Sequence, residues 1–135
     1  MSAEENKAIS NRVAQAISEG DLDALDELMA PELAEEFKRE LTEIRRAFPD
    51  YAGTNVEQIV EGEKVANRFV FLGTHLGEFE GVSPTGKRVE FTGNSIDRVV
   101  EAKIVESWVE VGMLGVMRQL GAVPEPGRSE EAGPG

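Results

Sequence analysis

Hydrophobic positions in the first third of the chain recur every three or four residues, which is the period of an amphipathic helix. We predict three helices there. Their apolar faces are Ile9, Val13 and Ile17; Leu22, Leu25, Leu28 and Met29; and Leu33, Phe37, Leu41, Ile44 and Phe48. A capping-box pattern at residues 2–5 begins the first helix, and Gly20 ends it. Asp21 caps the second helix, and Pro31 suits the first position of the third.

From Thr54 the period changes to two, which is typical of β-strands. The predicted strands are 54–60, 64–76, 87–99 and 103–111, and a short helix follows over 112–120. Three helices and then an antiparallel sheet make an α+β pattern. A strongly curved sheet with the three N-terminal helices across its mouth would form a cone.

The link between the second and third strands is predicted to be a turn over Ser83-Pro84-Thr85-Gly86. Proline presets φ at its second position, and glycine supplies a positive φ where a side chain would clash. Glycines also recur at 73, 77, 81 and 93. We expect them to mark bulges or bends, by which a sheet curls around a cavity.

Length and composition predict a single domain over residues 1–122, followed by a flexible tail over 123–135 that is rich in proline, glycine and glutamate. No apolar run approaches the ~20 residues that a membrane span requires. The first residues lack the basic and apolar regions of a secretory signal. We therefore expect a cytoplasmic protein that does not bind membranes.

Charge and residue types exclude several kinds of site. The chain has no cysteine and one histidine, so we expect no metal site and no cofactor. The net charge of −12 argues against nucleic acid as a partner. An apolar or cationic ligand is easier to accommodate.

Alternation along the last two strands separates an inner from an outer face. On the last strand the predicted inner residues are Val105, Ser107, Val109 and Val111. On the strand before it they are Phe91, Gly93, Ser95 and Asp97. Two glutamates flank Trp108 and place it on the outer face.

The central stretch Gly73 to Gly93 reads G-T-H-x-G-x-F-x-G-x-x-P-T-G-K-R-V-x-F-T-G. K-I-V-E-x-W begins at residue 103, and L-G-x-x-x-Q-L-G begins at residue 114. With these motifs, about Asn6 to Gly121 resembles the SnoaL-like polyketide cyclases of the nuclear-transport-factor-2-like superfamily. The resemblance implies a cone-shaped, cystatin-like α+β barrel. It also implies a small hydrophobic, polyketide- or lipid-like ligand and acid–base chemistry of the cyclase or isomerase type.

The chain departs from this family at the positions that carry its chemistry. By the resemblance, a catalytic acid follows the Trp108 position, and His or Asp frequently stands at the Ser95 position. This chain has Val109 and Ser95 there, which do not supply an acid–base pair. The segment before the third helix is also shortened to Met29–Leu33, so the mouth of the cone is either more open or filled by that helix.

Asp97 and His75 are the remaining candidates for catalysis. A carboxylate buried among apolar side chains has a raised pKa and can act as a general base. The alternative, which we favour, is that Asp97 bonds a backbone amide or an arginine. His75 is an acid–base candidate by residue type. Because it lies at a bend beside glycines, we favour a structural role for it as well.

The predicted ligand-binding residues are those expected to face the cone: Phe69, Phe71, Phe91, Ser95, Ser107, Val109 and Met113. A second hypothesis is a catalytically silent ligand-binding or dimerisation module of the same fold. A third, which we favour less, pairs Asp97 with Arg68 in an arrangement similar to the epoxide hydrolases of the superfamily. On the outer face we expect Trp108, Ile96, Val70 and Leu72 to form a homodimer surface.

Overall fold

The computed structural model describes residues 2–124 as four helices and four strands. The helices are α1 (Ala3–Glu19), α2 (Leu22–Leu28), α3 (Pro31–Ala47) and α4 (Met113–Gln119). The strands are β1 (Ala52–Glu61), β2 (Lys64–Thr74), β3 (Arg88–Val100) and β4 (Lys103–Val111). Every predicted element is confirmed to within a few residues at each end. The tail predicted from residue 123 lies, beyond residue 124, outside the described residues.

The predicted helix boundaries are confirmed by their hydrogen bonds. The Ser2 hydroxyl accepts a bond from the Glu5 amide at 3.1 Å, and the Glu5 carboxylate accepts one from the Ser2 amide at 2.8 Å. Gly20 ends α1 with a φ of 67°. The Asp21 carboxylate caps α2. These local bonds satisfy amides that a helix end otherwise leaves unpaired.

The sheet is antiparallel, with its strands in the order β1-β2-β3-β4, and it curves without closing. Helix α1 packs across its inner face. One core cluster lies where α1, α2 and α3 meet the ends of β2, β3 and β4. A second cluster contains the aromatic side chains of β2 and β3 together with Phe48. In the described part of the chain, no helix is long and apolar enough to cross a membrane.

The link between β2 and β3 is longer than the predicted tight hairpin. Residues 75–87 lie outside both strands, and the chain reverses at Glu80-Gly81, whose φ values are 50° and 80°. Gly86 has the predicted positive φ, 72°. The positive φ predicted at Gly86 is therefore confirmed, but the chain reverses direction a few residues before the predicted turn.

Two breaks in register occur in the sheet, and neither lies at a glycine. Val56 is an extra residue in β1, and Val105 is an extra residue in β4 opposite the step from Arg98 to Val99. The regular inner position predicted for Val105 is therefore not available to it, since Val105 is half-buried and has no partner residue on β3. Ile104 takes that place, fully buried and paired with Val99.

The glycines inside the strands permit close packing rather than bulges. A Cβ atom at Gly93 would lie 2.3 Å from the carbonyl oxygen of Glu110, and one at Gly73 would lie 2.8 Å from Cβ of Phe48. Both residues keep regular pairing in the β2–β3 ladder. No bulge lies at these two glycines, because a missing side chain also serves to admit a neighbour. Gly77 lies in a bend and Gly81 at the chain reversal, as expected.

Candidate functional site

A cavity of about 250 Å³ lies between the inner face of the sheet and the helices α1 and α3. Most of its wall is apolar. The hydrophobic lining residues are Val13, Ala14, Ile17, Met29, Phe37, Leu41, Ile44, Tyr51, Phe69, Phe71, Phe91, Val109, Val111 and Met113. The shortened link before α3 therefore leaves the cone open. In that link the Ala30 amide donates to the Ile104 carbonyl at 2.9 Å, which ties the start of α3 to β4.

All seven residues predicted to face a ligand line this cavity, and so does Asp97. They are Phe69, Phe71, Phe91, Ser95, Ser107, Val109 and Met113. The period-two alternation of β2, β3 and β4 places six of the seven on the cavity wall, because residues two apart on a strand share a face; Met113 lies on α4. Among the predicted site residues, only His75 lies away from the cavity.

Asp97 is the centre of a polar cluster at one side of this apolar chamber. Its side chain is 6% exposed. One carboxylate oxygen, Oδ2, accepts from the Ser10 hydroxyl at 2.7 Å and from the Asn67 amide at 3.0 Å. The other, Oδ1, accepts from the Ser107 hydroxyl at 2.7 Å. Thus α1, β2 and β4 each supply one neutral donor to a carboxylate on β3.

Burial raises the pKa of Asp97, and its bonds from Ser107, Ser10 and Asn67 oppose that rise only in part. A carboxylate has about four acceptor positions. The three bonds leave one open on Oδ1. The cluster therefore fixes a carboxylate by three hydrogen bonds, in a setting that increases its basicity and leaves one acceptor position without a bond from the described residues.

The orientation of Asn67 follows from its neighbours. Its Oδ1 accepts from Gln58 at 2.8 Å, and its Nδ2 donates to Ser95 at 3.1 Å as well as to Asp97. Because the Ser95 oxygen receives that bond, the Ser95 hydroxyl hydrogen is free to point elsewhere. Ser95 lines the cavity and can donate to an oxygen of a ligand.

Two further cavity residues, Tyr51 and Glu40, carry polar side-chain groups that bond no residue from 2 to 124. The Tyr51 hydroxyl makes no hydrogen bond within residues 2–124, and burial raises the pKa of Tyr51 to about 12. Its ring stacks on Phe71 with centroids 5.0 Å apart. Glu40 on α3 also lines the cavity. Burial raises the pKa of Glu40, and the nearby Glu36 and Glu43 add to that effect.

Sequence reasoning missed Ser10, Asn67, Tyr51 and Glu40. Two of them left a visible signal. Asn67 interrupts the buried positions Val65 and Phe69 on β2, and Glu40 lies within the apolar stripe of α3. A polar side chain on an apolar face needs a partner. Ser10 left no such signal, because a serine beside Ile9 is unremarkable in a helix.

His75, the first residue of the 75–87 link, is fully buried and does not line the cavity. Its Nδ1 accepts from the Thr85 amide at 3.1 Å, so the ring proton lies on Nε2. The ring stacks on Phe48 with centroids 5.4 Å apart. These contacts tie the link to the core, and the structure does not bring His75 and Asp97 together.

Arg68 lies on the outer face, where it pairs with Glu57 at 3.0 Å. Asp97 faces the opposite side of the sheet, and its hydrogen-bond partners are neutral. The paired Asp and Arg of the epoxide-hydrolase hypothesis is therefore not formed. Within residues 2–124, no cluster of three or more His, Cys, Asp or Glu side chains could hold a metal ion.

The outer face carries an apolar row that crosses all four strands. Its residues, paired in register from β1 to β4, are Ile59, Ala66, Ile96 and Trp108. The exposed fractions of Ile59, Ile96 and Trp108 are 64%, 43% and 48%. Lys64 lies over the Trp108 ring at 5.6 Å. Val70 and Leu72, predicted for the same surface, are half-buried on this face.

The sequence model of the SnoaL-like polyketide cyclases matches residues 7–120, which include the cavity and every strand. The chain belongs to the SnoaL-like polyketide cyclase family. No curated protein matches it. The superfamily cone, expected from the motifs around Gly73 to Gly93, is thereby confirmed, although its sheet stays open.

Several solved structures share the fold closely. AclR from Streptomyces galilaeus, a proposed hydroxylase, superposes with a TM-score of 0.84 at 28% identity, covering 92% of this chain and 89% of that one. IdmH from Streptomyces antibioticus, a proposed polyketide cyclase, gives 0.79 at 29% identity, covering 86% and 98%. TsrD from Streptomyces laurentii gives 0.83 at 24% identity, covering 91% and 99%, and shows the fold alone.

Proposed function

We propose that this protein binds a small, largely apolar carbonyl compound in the cavity and that Asp97 acts on it as a general base. The reaction would be a cyclisation or isomerisation of a polyketide-like molecule. The observation that carries the proposal is the position of Asp97, a buried carboxylate with one open acceptor position, beside the apolar walls of the cavity. Its raised pKa suits proton abstraction nearer neutral pH than an exposed aspartate would allow.

The proposed step begins at a carbon next to a carbonyl group. The C–H bond breaks, its proton passes to Oδ1 of Asp97, and the electron pair moves onto the carbonyl oxygen to give an enolate. The free hydroxyl hydrogens of Ser95 and Tyr51 are the available donors for that oxygen. In a cyclisation the enolate carbon attacks a second carbonyl, and the oxygen of that carbonyl takes the proton from Asp97. In an isomerisation Asp97 returns the proton at another carbon, and both routes regenerate the carboxylate.

In this proposal the catalytic carboxylate lies two residues along β3 from the Ser95 position. Ser95 and Val109, at the positions where relatives carry their acid and base, are paired across β3 and β4. Asp97 and Ser107 are paired two residues further along, on the same inner face. A carboxylate, which Ser95 and Val109 do not supply, is thus available at the next inward-facing pair of β3 and β4, still on the cavity wall.

A catalytically silent binding module is the second candidate. It is favoured by the three neutral donors around Asp97, which would also satisfy a purely structural carboxylate. The relatives do not decide the matter. AclR is a proposed hydroxylase and IdmH a proposed polyketide cyclase, so one fold is associated with different reactions.

Deuterium exchange separates the two candidates. The bicyclic ketone 2-tetralone, in heavy water, reports proton abstraction next to a carbonyl, and calorimetry reports its binding. We expect the wild type to bind the ketone and to accelerate exchange. Asp97→Asn should abolish the acceleration and keep the affinity, whereas Asp23→Asn, on the exposed surface of α2, should change neither.

Three outcomes would count against the proposal. Binding without accelerated exchange in the wild type would favour the silent module. Acceleration that survives Asp97→Asn would remove Asp97 as the base. Absence of binding would reject the cavity as a site for ketones of this kind.

We also propose that the outer apolar row pairs with a second copy of the chain. Three exposed large apolar side chains, on β1, β3 and β4, stand in register with the half-buried Ala66 on β2, and apolar surfaces of this kind are rarely left in water. The cavity opens on the other face of the sheet, so pairing there would leave it accessible.

A further inference from the structure

We infer that the cavity prefers ligands that carry a positive charge, a protonated amine above all, with Glu40 as the partner of that charge. This inference rests on the proposed function, because it assumes that the cavity binds a ligand. It goes further in naming a chemical class of ligand and a residue that selects it.

The charges of the lining are all of one sign. Asp97 and Glu40 are its two carboxylic acids, and no lysine, arginine or histidine is among the lining residues. An anionic ligand would meet two carboxylates and no compensating cation. A neutral ligand could enter, and a cationic ligand would gain attraction.

The two carboxylates differ in what they already bind. Asp97 receives three hydrogen bonds from its neighbours. The Glu40 carboxylate makes no hydrogen bond or ion pair with any residue from 2 to 124, and the residue is exposed although it lines the cavity. It lies three residues after Phe37 and four before Ile44, both of which also line the cavity, so it shares their side of α3. Glu40 is therefore the charge that remains available to a ligand.

The basic residues near Glu40 are engaged elsewhere or lie on another face. Lys38 pairs with Glu35 at 2.8 Å and with Asp26 at 3.0 Å. Arg45 donates to the Tyr51 carbonyl at 2.8 Å. Arg39 stabilises the Glu40 charge only at a distance and is exposed. A cation delivered by a ligand would thus have little competition.

The partial burial of Glu40 also favours a cationic ligand. It raises the pKa of Glu40, and Glu36 and Glu43, one turn away on either side, repel its negative charge. A cation at the cavity would offset both effects. Because Glu40 is exposed, water screens part of this attraction, and the expected gain is that of a charge pair near the surface.

Three naphthalene probes of matched shape test the inference. They are naphthalen-1-ylmethylamine, which is cationic at pH 7, naphthalen-1-ylmethanol, which is neutral, and 1-naphthoate, which is anionic. Binding to the full-length protein is measured by calorimetry at low ionic strength. We expect the amine to bind roughly 2- to 5-fold more tightly than the alcohol, which corresponds to ~0.4–1 kcal/mol. The carboxylate should bind least.

Variants of α3 assign the preference to one residue. Glu40→Gln should bring the amine down to the affinity of the alcohol and leave the alcohol unchanged. Glu40→Lys should reverse the order and favour 1-naphthoate. Glu43→Gln is the matched control: it is exposed on the same helix, outside the cavity lining, and changes the net charge by the same amount. It should keep the wild-type order, and circular dichroism checks that each variant is folded.

Each contrary result has its own meaning. Equal affinity for amine and alcohol in the wild type overturns the inference and leaves the proposed function standing. Equal losses in Glu40→Gln and Glu43→Gln would attribute the preference to the overall charge of −12 and also overturn it. If none of the probes, 2-tetralone included, binds, then the proposed function fails and the inference fails with it.

Discussion

Replacing Ser10 by alanine tests whether Asp97 is ionised and held by its neighbours. The Ser10 hydroxyl is buried and lies 2.7 Å from Oδ2 of Asp97. A hydrogen bond to a charged acceptor contributes about 1.5–3 kcal/mol, and one to a neutral acceptor about 0.5–1.5 kcal/mol. The loss of stability in Ser10→Ala should therefore depend on whether the carboxyl group carries its proton.

The change in Tm expected for Ser10→Ala at neutral pH depends on the entropy of unfolding, which scales with the length of the chain. An unfolding entropy of ~2.1 cal/mol/K per residue gives roughly 0.28 kcal/mol/K for 135 residues. A loss of about 1.5–3 kcal/mol then lowers Tm by ~5–11 °C. Thermal unfolding followed by circular dichroism measures shifts of this size easily.

The pH dependence has a definite sign. Burial raises the pKa of Asp97 above its ordinary value of 3.8, so the folded state holds the proton more tightly than the unfolded state does. The contribution of Asp97 to stability is therefore greatest at acid pH and declines as the pH rises through the raised pKa. Removing Ser10 removes a bond that lowers the pKa, so the decline should be steeper in Ser10→Ala than in the wild type.

The matched control is Ser18→Ala, on the same helix. The Ser18 hydroxyl bonds only neutral backbone groups, the carbonyls of Ala14 and Gly53 at 3.0 Å each and the amide of Gly53 at 2.9 Å. Its loss of stability should not vary between pH 3 and pH 8. If Ser10→Ala shows the same flat profile, Ser10 does not bond an ionised Asp97, and the proposed role of the cluster is refuted.

Two further predictions concern residues outside the cavity. Trp108→Glu, which places a charge in the outer apolar row, should convert a dimer to a monomer in sedimentation, and a wild type that is already monomeric would contradict the proposed pairing. His75→Ala, which empties a fully buried site against Phe48, should lower the free energy of unfolding by about 2–5 kcal/mol and leave ketone exchange unchanged in the folded protein. Loss of exchange at unchanged stability would instead restore His75 as a catalytic candidate.

Local patterns alone predicted most of the fold. The capping box at 2–5, Gly20 and Pro31 act within a few residues of themselves, so the helix ends could be read from the chain. Strand periodicity placed Phe91, Ser95 and Asp97 on one face, because alternation is a property of the extended backbone. The bulge at Val105 escaped this reasoning, since an extra residue is defined only against the partner strand.

The tertiary structure alone decided which polar groups meet. Ser10 lies 87 positions before Asp97 in the sequence and Asn67 lies 30 before it, yet both bond the same carboxylate oxygen. Nothing in the local sequence of α1 distinguishes a serine that bonds a buried charge from one that faces water. The sequence by itself determined the elements and the faces of the strands, because these follow from backbone geometry. Packing of α1 and α3 over the sheet determined the site, because only there do distant donors and Glu40 converge on one cavity.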